Sequence, residues 1–133
     1  MNVNVPIKIA IADDHDIFKE GIEMILNFIP DMNLMIKACN GRDLLDQIEN
    51  NQPDVVLLDL RMPILDGFST LKELKRLYHM IKVIILSMDG DSSQVQQALR
   101  MGADAHLLKS SDATVIYKAI RESCTPWCTF NQT

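Results

Sequence analysis

Five times along its 133 residues the chain passes through a short, nearly unbroken apolar stretch and then turns polar. The stretches are Ile7-Lys8-Ile9-Ala10-Ile11-Ala12, Leu34-Met35-Ile36, Val55-Val56-Leu57-Leu58, Val83-Ile84-Ile85-Leu86 and Ala105-His106-Leu107-Leu108. A strand with one face in water alternates apolar and polar side chains; these mostly do not. Strands that are apolar on both faces need cover on both, which is the condition of a parallel sheet with crossover helices.

The intervening segments have the period of helices. Asp16 is placed to cap one that carries Ile17, Phe18, Ile22, Ile25 and Leu26, with Pro30 stopping it. Asn40 precedes a helix with Leu44, Leu45 and Ile48, and Phe68, Leu71, Leu74 and Leu77 recur every three residues in the next. Ser92 or Ser93 can cap a fourth through Val95, Ala98, Leu99 and Met101, with Gly102 at the position after the C-cap. Val115, Ile116, Ala119 and Ile120 mark a fifth, and regular structure is expected to end near Glu122. The prediction is an α/β domain, a doubly wound five-stranded parallel sheet in flavodoxin-like (βα)5 order, over residues 1–122. Residues 123–133 are then a tail or the start of an interdomain linker. In that order the first and third strands lie side by side at the switch point, where such sheets bind ligands.

The strand ends carry the chemistry. The first strand runs into Asp13-Asp14, the third into Asp59, the fourth into Ser87 and the fifth into Lys109. Asp59 directly after four aliphatic residues suits the carboxyl end of a buried strand. Three converging carboxylates repel one another and raise at least one pKa, which a Mg²⁺ ion relieves. Magnesium prefers oxygen ligands, often one or two carboxylates plus a phosphate oxygen. One carboxylate is then free to attack phosphorus, Lys109 offers a compact positive charge, and the Ser87 hydroxyl can donate to a phosphoryl oxygen. Each residue has a plainer reading by itself: Asp13-Asp14 as a helix cap, Lys109 as a solvated charge, Ser87 as a turn former. Asp66-Gly67 keeps its plain reading, as the entry to a helix. Coincidence separates the others from theirs, since all of them fall at strand ends aimed at one edge.

Composition narrows the field. A net charge of -5 does not suit gripping a nucleic-acid backbone. No apolar stretch approaches the roughly 18 residues of a membrane span, and the amino terminus lacks a signal-peptide pattern. Three cysteines without a secreted spacing fit a reducing, cytoplasmic setting. Cys124 and Cys128 have no further ligands nearby in sequence, so they read as reduced thiols.

Asp13-Asp14, the string LLDLRMPILDG around Asp59, Ser87 and Lys109 resemble the response-regulator receiver domain of two-component signalling, over roughly Ile7 to Glu122. The resemblance implies that Asp59 accepts a phosphoryl group from a histidine kinase, with autodephosphorylation as the return step. It implies that Asp14, Asp59 and the backbone carbonyl of Arg61 ligate Mg²⁺, with Asp13 acting mainly through water. It further implies that Ser87 and Lys109 contact the phosphoryl group and that Ser87 shifts toward it on activation. Arg61 and Asp89 flank the site and are placed to tune the lifetime of the phosphate. Asp13-Asp14-His15 before Ile17-Phe18-Lys19-Glu20-Gly21, and Gly102-Ala103-Asp104-Ala105 before Leu107-Leu108-Lys109-Ser110, look like receivers of LuxR-type transcription regulators. Those carry a helix-turn-helix domain, so DNA would be reached only through an effector domain that this sequence does not include. A homodimer on phosphorylation is a further implied partner.

Two positions depart from the commonest receiver pattern. Ser110 follows Lys109 where proline is usual; a cis bond without proline costs about 3 kcal/mol. His106 stands where Tyr or Phe serves as a rotameric switch. Two other classes compete with a transcriptional regulator's receiver. A stand-alone receiver in a phosphorelay, or a non-phosphorylated interaction scaffold, shares the fold, although scaffolds usually lose one of the acids or the lysine. A dedicated aspartyl phosphatase would place a second acid close after Asp59, where Leu60 and Arg61 stand.

Overall fold

The computed structural model describes residues 5–124. Five strands, β1 (Ile7–Ala12), β2 (Met32–Ala38), β3 (Val55–Asp59), β4 (Lys82–Ser87) and β5 (Ala105–Leu108), alternate with five helices. These are α1 (Asp16–Asn27), α2 (Gly41–Asn50), α3 (Gly67–Leu77), α4 (Ser92–Arg100) and α5 (Ala113–Cys124). All neighbouring strands pair in parallel, in the order β2-β1-β3-β4-β5. This is the predicted doubly wound sheet. Ala12 of β1 pairs with Leu58 of β3, so the residues after them, Asp13 and Asp59, emerge next to each other.

The unbroken apolar strands have the predicted cause. Val55, Val56, Leu57 and Leu58 are all fully buried, because successive side chains enter different cores. Val56 and Leu58 join Leu44, Ile48, Leu71, Leu74 and Ala98 under α2, α3 and α4. Val55 and Leu57 join Ile22, Leu26, Ile116 and Ile120 under α1 and α5. Two apolar layers thus hold β3 from both sides and fix the position of Asp59 at its end.

Strand β2 is longer than Leu34-Met35-Ile36 and contains a bulge. Ile9 pairs with Leu34 but Ala10 pairs with Ile36, which leaves Met35 unpaired. Met35 and Ile36 therefore both face the α2–α4 core, and three apolar residues in a row follow from that irregularity.

Two helix starts differ from the sequence-based expectation. The N-cap of α1 is His15, with Asp16 already in the first turn, because the Asp13 carboxylate accepts the His15 backbone N–H and folds the chain one residue earlier. The N-cap of α4 is Asp91 rather than Ser92 or Ser93. Its carboxylate makes no cap bond because it is occupied by the Arg61 guanidinium and the Met88 N–H. Asn40 does cap α2, accepting from the Asp43 N–H, and Asp66 caps α3 through the Ser69 N–H. Gly102 follows the C-cap of α4 with φ 111, a left-handed conformation that suits glycine.

Ile17 (87% exposed), Leu77 and Val115 sit on helices as expected but face outward. Lys19 takes a buried place on α1, its Nζ 3.5 Å from both Asp16 and the Ala38 carbonyl. Helix α5 continues through Cys124, beyond the expected end at Glu122. No helix among the described residues is long and apolar enough to cross a membrane.

Candidate functional site

Every sequence-predicted site residue falls at the carboxyl edge of the sheet or in β5, but their side chains do not all meet. Asp13, Asp14 and Asp59 converge, together with a residue that sequence reasoning did not put in the site, His15. Asp13 is fully buried, Asp59 nearly so, and Asp14 half-exposed.

Asp59 is held from two sides. Its Oδ1 accepts the Arg61 backbone N–H at 3.2 Å, and its Oδ2 lies 3.2 Å from Lys109 Nζ. Burial raises its pKa above the ordinary carboxylate value, and the nearby Asp13 charge raises it further, against the Arg61 N–H and Lys109, which lower it. Gly67 makes this position possible. A Cβ there would lie 2.4 Å from Leu60 Cα and 2.5 Å from the Asp59 carbonyl oxygen, so α3 can begin beneath Asp59 only without a side chain. In the same loop Ile64 adopts φ 71, a left-handed conformation that is costly for a β-branched residue.

Lys109 is the centre of the cluster. Its ammonium is 2.6 Å from Asp13 Oδ2, 3.2 Å from Asp59 Oδ2 and 2.9 Å from His15 Nδ1, and sits over the Phe18 ring. The Asp13 oxygen is close enough for ion pairing, but it is buried without a hydrogen bond of good geometry. A buried carboxylate oxygen of this kind, beside two further carboxylates, is a fit for a hard divalent cation.

Ser87 is buried at the end of β4, and its hydroxyl donates to the Leu107 carbonyl at 3.3 Å. It is therefore tied to β5 rather than to Asp59. His106 is exposed and lines a cleft of about 240 Å³ with Ser87, Asp89, Asp91 and Leu108. Above the site the Arg61 guanidinium pairs with Asp91, whose other oxygen accepts the Met88 N–H. That clasp joins the loop after β3 to the loop after β4. A carboxylate 30 residues from its arginine leaves no local signal in sequence, and Asp91 was missed for that reason. His15 could have been found, since it comes directly after two of the acids.

The thiol of Cys124 is half-buried at the opposite edge, and burial pushes its pKa up to about 12. It is a protonated, poorly reactive group at neutral pH, in line with the reduced-thiol reading. Cys128 lies outside the described residues.

Comparison with known proteins agrees with this geometry. The model of the response regulator receiver domain family matches residues 9–121. The transcriptional regulatory protein DegU of Brevibacillus brevis is 35% identical over 115 residues, 86% of this chain and 49% of that protein. The nitrate/nitrite response regulator protein NarL of Escherichia coli K12 is 30% identical over 123 residues, 92% of this chain and 57% of that protein. The chain thus spans about half the length of the curated relatives it matches. Among solved structures, the signal receiver domain of NarL from Mycobacterium tuberculosis superposes with a TM-score of 0.81 at 34% identity, covering 89% of this chain and 95% of that one. With the matched family model spanning all five βα units, the chain belongs to the response regulator receiver domain family.

Proposed function

We propose that this receiver is a phosphorylation switch in which Asp59 takes a phosphoryl group from the phosphohistidine of a sensor histidine kinase. The observation that carries the reading is the Asp13, Asp14 and Asp59 cluster with Lys109 at its centre, held at the carboxyl edge of the sheet. A carboxylate oxygen of Asp59 attacks phosphorus. The P–N bond breaks, an aspartyl phosphate forms, and the imidazole of the donor leaves with the electron pair and takes up a proton. Water attacking the same phosphorus returns the carboxylate and releases phosphate.

Asp14, Asp59 and the Arg61 carbonyl are the groups to hold Mg²⁺, with Asp13 acting through water. The ion, when bound, neutralises the charge that gathers on the phosphoryl oxygens. Lys109 already lies 3.2 Å from the acceptor oxygen and is the group to follow the charge onto the phosphate. The Ser87 hydroxyl has only a 3.3 Å bond to the Leu107 carbonyl to give up, so it can exchange that acceptor for a phosphoryl oxygen. The phosphorylated state is then favoured by contacts that the other state lacks. His106 borders the cleft behind Ser87 and is the residue to respond to that movement. DegU carries a name that specifies transcriptional regulation, which supports transcription control through an effector domain as the output; a cytoplasmic setting and dimerisation on phosphorylation are part of the same proposal. Residues 1–122 are the receiver on this reading, with residues 123–133 a tail or the start of an interdomain linker.

The test is incubation with acetyl phosphate and Mg²⁺ followed by intact-mass measurement. The expected result is a gain of one phosphoryl group in the natural sequence and none after Asp59→Asn or without the cation. A gain that survives Asp59→Asn would overturn the assignment.

A further inference from the structure

The imidazole in the site has a role that a set of carboxylates cannot supply. His15 Nδ1 lies 2.9 Å from Asp13 Oδ1, 3.6 Å from Asp14 Oδ1 and 4.0 Å from Asp59 Oδ2. It also lies 2.9 Å from Lys109 Nζ. A ring nitrogen has one in-plane position, so Nδ1 either donates to Asp13 or accepts from Lys109. Asp13 Oδ1 already receives the His15 backbone N–H at 2.8 Å, whereas the Lys109 ammonium has three donors and three near neighbours, Asp13, Asp59 and His15. Whichever of these contacts it keeps, Nδ1 stands within 4.0 Å of an oxygen of each of the three carboxylates, and a ring nitrogen set among carboxylate oxygens is placed as a metal ligand.

We propose that His15 Nδ1 is a metal ligand, and that it biases this acidic site toward first-row transition cations over Mg²⁺. The inference rests on the metal-dependent reading of the site given above. Mg²⁺ takes oxygen ligands and keeps several waters, so it gains little from an imidazole. Divalent first-row cations accept nitrogen readily, and their affinity for mixed nitrogen and oxygen sites rises along the series from Mn²⁺. The His15 side chain is 62% exposed and its side-chain partners, Asp13 and Lys109, belong to the cluster itself, so it can close on a cation without disturbing the core. The other two histidines are placed elsewhere: His79 follows α3 at the opposite edge, and His106 lies within β5 and pairs with Ile85.

The experiment is calorimetric titration of the whole chain with MgCl₂ and with MnCl₂, joined to electron spin-echo spectroscopy of the Mn²⁺ complex. Mn²⁺ is the probe because the cysteine thiols have little hold on it. The expected spectrum shows coupling to one nitrogen, lost in His15→Ala. The same variant should lose Mn²⁺ affinity by at least the roughly tenfold that removal of an outer-shell partner costs, and keep its Mg²⁺ affinity. A Mn²⁺ complex with no nitrogen coupling, or equal losses for both cations in His15→Ala, would overturn the role of His15 and leave the acidic site standing. If the natural sequence binds neither cation, the metal-dependent reading falls together with it.

Discussion

The two edges of one sheet use aspartates in opposite ways. At the amino edge Asp54 accepts the Lys8 N–H at 2.8 Å, Asp31 pairs with Arg121, and Asp104 accepts both the Val83 N–H and the Lys75 ammonium at 2.8 Å. Each of those acids has its own partner, and each ties a strand or helix end into place. At the carboxyl edge Asp13, Asp14 and Asp59 converge, Asp13 and Asp59 share one lysine, and all three share one histidine. The residue type is the same and the partners differ. An acid with a partner of its own is structure, whereas acids in excess of their partners are capacity for an incoming cation.

The comparison can be broken at either edge. The largest effect is expected from Gly67→Ala, which drives a Cβ into the Leu60 and Asp59 backbone. Overpacking against backbone that cannot yield should lower stability by about 3 kcal/mol in urea unfolding, and should weaken cation binding by moving Asp59. Next is Asp104→Ala at the amino edge. It strips the buried Val83 N–H and Lys75 of their shared acceptor and should cost about 2 kcal/mol.

Asp59→Asn should act with the opposite sign and the smallest size, a gain within about 1 kcal/mol at neutral pH without cation. The Asp59 carboxyl titrates higher in the folded chain than in the unfolded one. The folded state therefore holds the extra proton through that window, and this group's contribution to stability falls as pH rises through it. The gain from Asn is accordingly expected to shrink as pH drops into the ordinary carboxylate range, measured by urea midpoints across pH. A loss of stability in Asp59→Asn at neutral pH would erase the distinction between the two edges.

The sheet was legible because its cause is local. Val55 to Leu58 can be buried on both faces only in a covered sheet, and the strand order placed Asp13 beside Asp59 without any contact being known. Helix starts were less legible, since His15 and Asp91 are set by side chains that bond backward or across loops rather than by propensity. Helix faces were read correctly where two cores compete for a side chain and less well at the ends, as exposed Ile17 and Leu77 show. Of the site, the acids and Lys109 were readable from strand ends. The Arg61–Asp91 clasp was not, because it depends on where two loops are brought by the whole sheet.

The bulge at Met35 has a consequence for how much this architecture can vary in length. Asp13 is positioned in part by the Ala38 carbonyl, which accepts its N–H at 3.0 Å, so the far end of β2 helps to hold the site. Yet Ile7, Lys8 and Ile9 pair with Met32, Asn33 and Leu34, and Ala10, Ile11 and Ala12 pair with Ile36, Lys37 and Ala38, in two uninterrupted runs on either side of the extra residue. The strand absorbs a one-residue change in spacing without passing it on, and the chain before β2 can differ in length while the acid that anchors the site stays where it is.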